Sequence, residues 1–436
     1  MEKPSFHQAL KFWLKLGFIS FGGPAGQIAI MHEFLVEKKK WISEGRFLHA
    51  LNYCMMLPGP EAQQMATYIG WMLHGIRGGL AAGLLFILPS MFILFILCSI
   101  YVTYGQMPII NAMFEGIKPA IIAIVILAMV KIGKKSLHNY LHYCIAMIAF
   151  IGIYFFEIPF PLIIIGTIFF GLFVLSFYPK FIAGENKKSN DSESNEEDYY
   201  INKNTKFPNT GFEIFRVLKQ VFIGFIFWVL PFLVFYYVTA DFNFWKQLIF
   251  FFTKAALVTF GGAYAVLPYV AQISVEHFKW LTNSQMIDGL ALGESTPGPL
   301  IMVLVFVGFM AGYHHFGNSI LMGSLGLVTT TFYTFLPSFL FIFIGAPIIE
   351  KTQANKKIKD ILSLVTASVV GVVLNLTIYF SMAVLFPKEM SFNNFEWILI
   401  IWIIISLFAL QYFKTSMILW IGMSAVFGMF KYFVGK

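Results

Sequence analysis

Two short patterns recur in this 436-residue chain, and neither suits an unbroken helix. One is Phe21-Gly22-Gly23-Pro24 with Phe260-Gly261-Gly262-Ala263; the other is Pro58-Gly59-Pro60 with Pro297-Gly298-Pro299. Proline removes a backbone donor, and glycine reaches conformations closed to other residues. A helix interrupted this way leaves N–H groups unpaired at the start of its second segment, beside the positive end of the helix dipole. Such ends receive anions. The candidate donors are Gly22, Gly23, Gly59, Gly261, Gly262 and Gly298, with Pro58, Pro60, Pro297 and Pro299 shaping the turns. Ser20 and Thr259 add hydroxyls beside the glycine pairs, and Lys15 and Lys254 add positive charge at equivalent positions.

Magnitude limits what one break can do. Desolvating an ion costs several kcal/mol after relaxation, whereas one helix terminus returns roughly 0.3–2 kcal/mol. A dianion therefore needs several breaks converging. The competing reading is that glycine and proline merely allow close helix packing, which would suffice for one motif but not for two paired ones. The lysines divide evenly between ligands and side chains that snorkel to water. Glu61 follows one Pro-Gly-Pro and Glu294 precedes the other, so each is either a proton carrier or a helix cap. Glu37/Trp41 and Glu276/Trp280 read as interfacial anchors. His32 and Glu33 have no counterparts in the second half, where Ala271 and Gln272 stand, and His314-His315 shows no ligand partner, so none of these reads as catalytic. Cys54, Cys98 and Cys144 have no metal-ligand spacing and read as packed thiols. No nucleophile-elbow, zinc-protease or phosphate-loop pattern occurs, so neither an enzyme nor an ATP-driven pump is expected, and no cofactor or metal.

The elements that must position these residues belong in lipid. Hydrophobic residues make up 58% of the chain and charged ones 12%, with a mean hydropathy of +0.75; soluble domains carry about 25% charged residues. The net charge of +8 gathers at the ends of apolar runs, which reads as a topology signal and not as a nucleic-acid surface. Residues 1–17 carry no small-residue cleavage site, so no removed signal peptide is expected. Apolar runs at about 79–104, 116–132, 140–156, 158–178, 217–239, 319–348, 361–386, 396–413 and 415–433 are long enough to span, or nearly so. The four interrupted stretches, 12–36, 47–75, 251–275 and 286–312, differ in kind. Breaks survive at membrane depth only where protein or a water-filled cavity satisfies the freed groups. Residues 47–75 and 286–312 read as re-entrant hairpins from opposite faces; 12–36 either spans or re-enters.

Residues 12–60 laid over 251–299, at a constant offset of 239 without gaps, match at 13 of 49 positions; chance gives about one in sixteen. Lysine and arginine set the orientation. Residues 37–46 hold four and 276–285 only Lys279, whereas 105–118 hold only Lys118 and 349–360 hold four. Under the positive-inside rule the two halves therefore face opposite ways, an arrangement common in secondary transporters. The expected fold is an all-α integral membrane protein of two inverted-topology repeats with broken or re-entrant helices, roughly 10–13 membrane segments in all. Its parts are 1–179, the first repeat; 180–210, a polar, disordered cytoplasmic linker; 211–245, a linking transmembrane helix; and 246–436, the inverted second repeat.

Ser20-Phe-Gly-Gly-Pro24, Leu57-Pro-Gly-Pro-Glu-Ala-Gln-Gln64 and Ala66-Thr-Tyr-Ile-Gly-Trp71 resemble the first domain of the chromate transporter family. Thr259-Phe-Gly-Gly-Ala-Tyr-Ala265 and Gly289-Leu-Ala-Leu-Gly-Glu-Ser-Thr-Pro-Gly-Pro299 resemble its second domain. The resemblance covers about 10–135 and 250–375 and fits the long, two-domain form. It implies efflux of chromate, with sulfate as the similar competitor, across the cytoplasmic membrane, conferring chromate resistance. The substrate contacts would lie in the glycine and proline motifs. The remaining alternatives are a carrier of sulfate or another oxyanion, and a membrane scaffold or lipid-handling protein without ion flux. The bilayer is the expected partner, and a homodimer is compatible with the reading.

Overall fold

The computed structural model describes residues 3–177, 198–205, 207, 211–239, 241–349, 356–386 and 396–434. These form sixteen α-helices in chain order, and the second half repeats the first. α1 (Phe6–Ile19) opens on a Ser5/Gln8 capping box and stops at the glycine pair. α2 (Gly23–His32) leaves from it and runs into the π-helical turn Glu33–Lys38. α3 (Glu44–Cys54) and α4 (Glu61–Tyr104) flank the first Pro-Gly-Pro. α5 (Pro108–Ser136), α6 (Tyr140–Phe156) and α7 (Phe160–Phe177) complete the half, and α8 (Ile214–Val238) leads to the next. α9 (Phe242–Leu257), α10 (Ala263–Gln272), α11 (Asn283–Ser295) and α12 (Val303–His315) answer the first four pieces. α13 (Ile320–Ile349), α14 (Lys356–Leu385), α15 (Trp397–Gln411) and α16 (Met417–Val434) close the chain.

The segment 12–36 re-enters the membrane. Phe12, before the break, meets Trp41, beyond α2, edge to face at 5.6 Å; Phe251 meets Trp280 at the same 5.6 Å in the other half. A continuous spanning helix would hold those rings some 40 Å apart at about 1.5 Å per residue. The second hairpin is equally direct. The Tyr53 and Tyr68 rings lie 5.3 Å apart across the Pro58–Pro60 turn.

α4 is two helices in one. Its 44 residues would measure about 66 Å if straight, twice the roughly 30 Å hydrocarbon core. The helix breaks at His74 and Gly75, where Gly75 adopts φ +63°, and the chain doubles back. Gly70 and Gly78 touch so closely that a Cβ on Gly78 would stand 2.3 Å from the Gly70 carbonyl oxygen. In the second half, Gly308 of α12 and Gly326 of α13 make the equivalent close crossing. Each half thus holds two re-entrant hairpins and four crossings: 76–104 with α5–α7, and α13–α16. An even number of crossings per half and a single α8 between them leave the second half upside down. Among the described residues seven helices are long and apolar enough to span; α6 and α15 are shorter apolar helices.

The halves interlock. α6 and α7 pack on α14 of the other half, while α15 and α16 pack on α5. Glycines make these crossings close: a Cβ on Gly116 would stand 2.4 Å from the Gly428 backbone, and one on Gly371 would stand 2.0 Å from the Ala146 carbonyl oxygen.

Four expectations change. Trp41 and Trp280 are 7% and 6% exposed, sealed against Phe12 and Phe251 inside the hairpins, so they are core residues and not interfacial anchors. Cys54 and Cys98 are buried, but Cys144 is exposed. Residues 180–197 of the expected linker lie outside the described residues, whereas 198–205 is held: Ile201 bridges to Ile42, and Arg46 binds the Asn202 and Thr205 carbonyls. His315 does have a partner, Asp241, at 2.7 Å.

Two predictions follow from this architecture. Lys38 and His277 occupy equivalent, exposed positions in the two halves. In a Cys144→Ser background, K38C should react with an impermeant maleimide only from the cytoplasmic side and H277C only from the outside; the same sidedness for both would exclude inversion. Asp241 caps α9 at the Phe244 N–H and is held below the usual carboxylate range, first by its hydrogen bond with His315. Because its pKa is depressed in the fold, its stabilisation is present above the usual carboxylate range and fades as pH falls through the lowered value. D241A should cost about 0.5–2 kcal/mol in thermal unfolding at neutral pH, and less in acid.

Candidate anion site at the crossed hairpin tips

Each glycine pair takes a left-handed backbone: Gly22 and Gly261 at φ +86° and +79°, Gly23 and Gly262 at φ +68° and +95°. Only glycine adopts these conformations cheaply, which explains the identity of the motif in both halves. The tips then cross. The Gly59 N–H donates to the Thr259 carbonyl at 2.7 Å, and the Gly298 N–H donates to the Ser20 carbonyl, also at 2.7 Å. Positions 59 and 298 are equivalent, as are 20 and 259, so these bonds are two copies of one contact across a pseudo-two-fold axis.

This corrects the roles expected of Gly59 and Gly298. Their amides are taken by the carbonyls that end α1 and α9, which would otherwise be orphaned at membrane depth. The N–H groups of Gly22, Gly23, Gly261 and Gly262 carry no hydrogen bond among the described residues. They are the amides left unpaired at the tips, together with the first-turn amides of α4 after Pro60. The Ser20 hydroxyl is fully buried without a partner, whereas that of Thr259 is returned to the Ala255 carbonyl at 2.6 Å. The two halves thus offer unequal polar groups.

Further residues at the tips carried no signal as isolated positions. Leu88-Pro89-Ser90 and Leu336-Pro337-Ser338 repeat between the halves. Ser90 Oγ donates to the Pro297 carbonyl. Ser338 Oγ stands beside Gly59 with no partner, because the Pro58 carbonyl accepts from Gln64 Nε2 at 2.7 Å instead. Gln27 of α2 ties the opposite pair, donating from Nε2 to the Gly298 carbonyl at 2.5 Å. Its equivalent is Val266, so this tie exists once. Both serines follow a Leu-Pro step in otherwise apolar helices, a repeat that lies beyond residue 60 at an offset changed from 239 to 248.

The predicted charges fall in different places. Lys15 is exposed, its ammonium 5.1 Å over the Phe34 ring, and Lys254 is exposed on α9. Neither is drawn into the crossed tips. Lys135 is the lysine beside a tip, with Nζ 3.5 Å from Met55 Sδ. Glu61 does reach the site: a Cβ on Gly262 would stand 4.0 Å from its Oε1. Glu294 is 6% exposed and accepts from Tyr264 O–H at 2.5 Å, two residues past the second glycine pair. Buried Asp288, which accepts from Tyr101 O–H at 2.8 Å, was not singled out from sequence; it sits six residues before Glu294 on α11.

Two crossed pairs of broken helices, each capped by the other, thus leave four glycine amides unpaired at the tips. The family profile described as chromate transporter matches residues 7–172 and 246–429, which contain all four breaks. The chain belongs to the chromate transporter family. A chromate transport protein of Pseudomonas aeruginosa is 30% identical over 85% of this chain and 79% of its own. A probable chromate transport protein of Synechococcus elongatus is 28% identical over 85% and 83%. An uncharacterised transporter of Bacillus subtilis is 29% identical and aligns with 44% of this chain but 97% of its own length, so one half has a free-standing relative. No solved structure matches significantly. Family membership and the apolar helices together make the chain a multi-pass protein of the cytoplasmic membrane.

The crossing predicts a graded glycine series. At Gly298, φ is +103° and a Cβ would stand 1.7 Å from Ser90 Oγ; at Gly75, φ is +63° with nothing within 4 Å. G298A should combine backbone strain of about 1–2 kcal/mol with overpacking of about 1–3 kcal/mol, while G75A should bear only the first. Melting in detergent should rank wild type above G75A and G75A above G298A; equal melting would mean that the tip is not held as described.

Proposed function

We propose that the protein exports chromate by alternating access, binding the dianion where the two glycine breaks cross. The observation that carries this reading is the reciprocal capping, Gly59 to Thr259 and Gly298 to Ser20. It satisfies the backbone acceptors internally and leaves a surplus of donors, the electrostatic condition for an anion and not a cation. Unpaired glycine amides and the Ser20 hydroxyl suit a tetrahedral oxyanion, whose lone pairs accept in several directions. The names of the relatives favour chromate. Sulfate has the same charge and shape and is the natural competitor.

Outward movement has a driving force without further machinery. A dianion leaving an inside-negative cell gains roughly 4.6 kcal/mol per 100 mV, about three decades of concentration. Glu61 and Glu294 lie close enough to the breaks to exchange a proton for the anion. Voltage therefore drives export in this reading, with proton exchange as an addition.

Chromate flux in proteoliposomes, under separately imposed potassium-diffusion potentials and pH gradients, tests this directly. Flux should follow voltage and be reduced by sulfate. S20A should bind chromate about 10- to 100-fold more weakly, the value of a hydrogen bond to a charged group, about 1.5–3 kcal/mol. E61Q and E294Q should leave voltage-driven flux intact. Flux that follows only the pH gradient and vanishes in either glutamine variant would replace voltage-driven export by obligatory proton exchange. No oxyanion flux in either gradient would remove the transport reading.

A further inference from the structure

A polar cluster stands on the outer leg of the second hairpin, away from the crossed tips. Asp288 of α11 is 5% exposed; its Oδ2 accepts from Tyr101 O–H of α4 at 2.8 Å, and its Oδ1 has no partner. Among the described residues no other buried carboxylate oxygen is left in that condition. One helical turn nearer the outer face, Ser284 Oγ accepts from Lys118 Nζ of α5 at 2.7 Å. Lys118 is itself 5% exposed, and its ammonium also holds Glu115, whose side chain is 52% exposed. Polar atoms thus lead from surface water through Glu115, Lys118 and Ser284 to within one turn of Asp288.

Ionisable residues inside a bilayer are expensive and mark ion and proton pathways. A stabilising ion pair is the simpler reading, but no bond joins Lys118 to Asp288, because the lysine's carboxylate partner is Glu115. Two states of Asp288 are therefore in balance. The nearby positive charge of Lys118 favours the carboxylate, whereas burial favours a carboxyl with the proton on Oδ1. A group that must load and unload a proton needs that balance; a permanently paired carboxylate lacks it. The other helices against α11 carry titratable groups engaged elsewhere. Lys431 of α16 pairs with Glu396 at 2.7 Å, Tyr379 of α14 donates to Asn283 at 2.5 Å, and His314 of α12 meets Gln285 at 3.2 Å.

Asp288 also lies on the way inward. Glu294, which accepts from Tyr264 beside the second glycine pair, is six residues and about 9 Å further along the same helix. The position equivalent to Asp288 on the other hairpin leg holds His49, whose Nδ1 is likewise buried without a partner. Each leg thus carries a titratable group at the same level. We propose that Asp288 is the proton carrier of the outer leg, taking a proton on Oδ1 from outside water and releasing it inward as chromate leaves. Only the Oδ1–H bond forms and breaks, and the anion is not altered. This assignment rests on the export reading and places the outer step of its proton exchange on a residue other than Glu61 and Glu294.

The test uses the full-length protein in liposomes, with potassium and valinomycin holding the voltage at zero while the outer pH is lowered. The chromate ratio held at steady state should shift about tenfold per pH unit for each proton exchanged. D288N should lose that shift and D288E should keep it. Should D288N fail to fold, wild type gives a second readout through a hydrophobic carbodiimide, which modifies protonated carboxyls. Asp288 should be labelled when the outer pH is acid and progressively less as it rises, as read by mass spectrometry of its peptide. A D288N steady state that shifts as wild type does, or labelling that ignores the outer pH, overturns the proposal. So does a wild-type ratio indifferent to the pH gradient, which leaves voltage-driven export standing. Absence of any chromate flux in wild type is the separate result that removes the export reading and this assignment with it.

Discussion

A polypeptide that ends helices in the middle of a bilayer must find hydrogen-bond partners for the carbonyls and amides it frees, because lipid supplies none. Here the partners come from the opposite repeat. The carbonyl ending α1 receives the amide of the second Pro-Gly-Pro, and the carbonyl ending α9 receives that of the first. Neither half could hold its own breaks at this depth. The pseudo-two-fold relation is therefore a condition of stability for the site as well as a trace of duplication.

The same reciprocity organises the bundle. Each half lends its last two helices to the other, α6 and α7 to α14 and α15 and α16 to α5, through glycine-lined crossings that bring backbones into contact. The two halves share one core and do not behave as two bodies joined by a linker. Movement of a tip away from its partner would uncap a buried carbonyl, at about 1–3 kcal/mol for each unsatisfied group, so motion at the centre is coupled across the axis. The symmetry is broken at the tips too. Gln27 faces Val266, Pro24 faces Ala263, and the Ser20 hydroxyl is unpartnered where Thr259 is satisfied. One repeat therefore leaves more unpartnered polar atoms at the tips than the other.

Much of this was readable before any coordinates. Glycine pairs at a constant offset of 239 and the lysine asymmetry of equivalent loops gave the duplication and its inversion. The backbone repeats with the same offset down to the left-handed Lys40 and Lys279, at φ +52° and +54°. The re-entry of 47–75 followed from charge on both its ends. Long side chains are the least legible part of the sequence, because depth along a segment does not say which way the segment faces: of the two readings open for the lysines, exposure at the surface is the one that fits. Lys15 and Lys254 lie at suitable depth but on the exposed face, and Trp41 and Trp280 sit at a membrane-edge position but fold inward onto Phe12 and Phe251.

Residue types alone determined that the chain lives in lipid, that it is built twice, and that its helices break at four glycine- or proline-bearing points. Those are consequences of composition, spacing and local backbone preference. Only the tertiary structure decided which amide meets which carbonyl, and hence that Gly59 and Gly298 hold the site together while Gly22, Gly23, Gly261 and Gly262 keep their donors free. It also decided that 12–36 turns back and that Ser90 Oγ holds the Pro297 carbonyl. The pairings at the tips depend on contacts between residues 200 or more positions apart, and pairing across a two-fold axis is not written in either copy of the repeat read by itself.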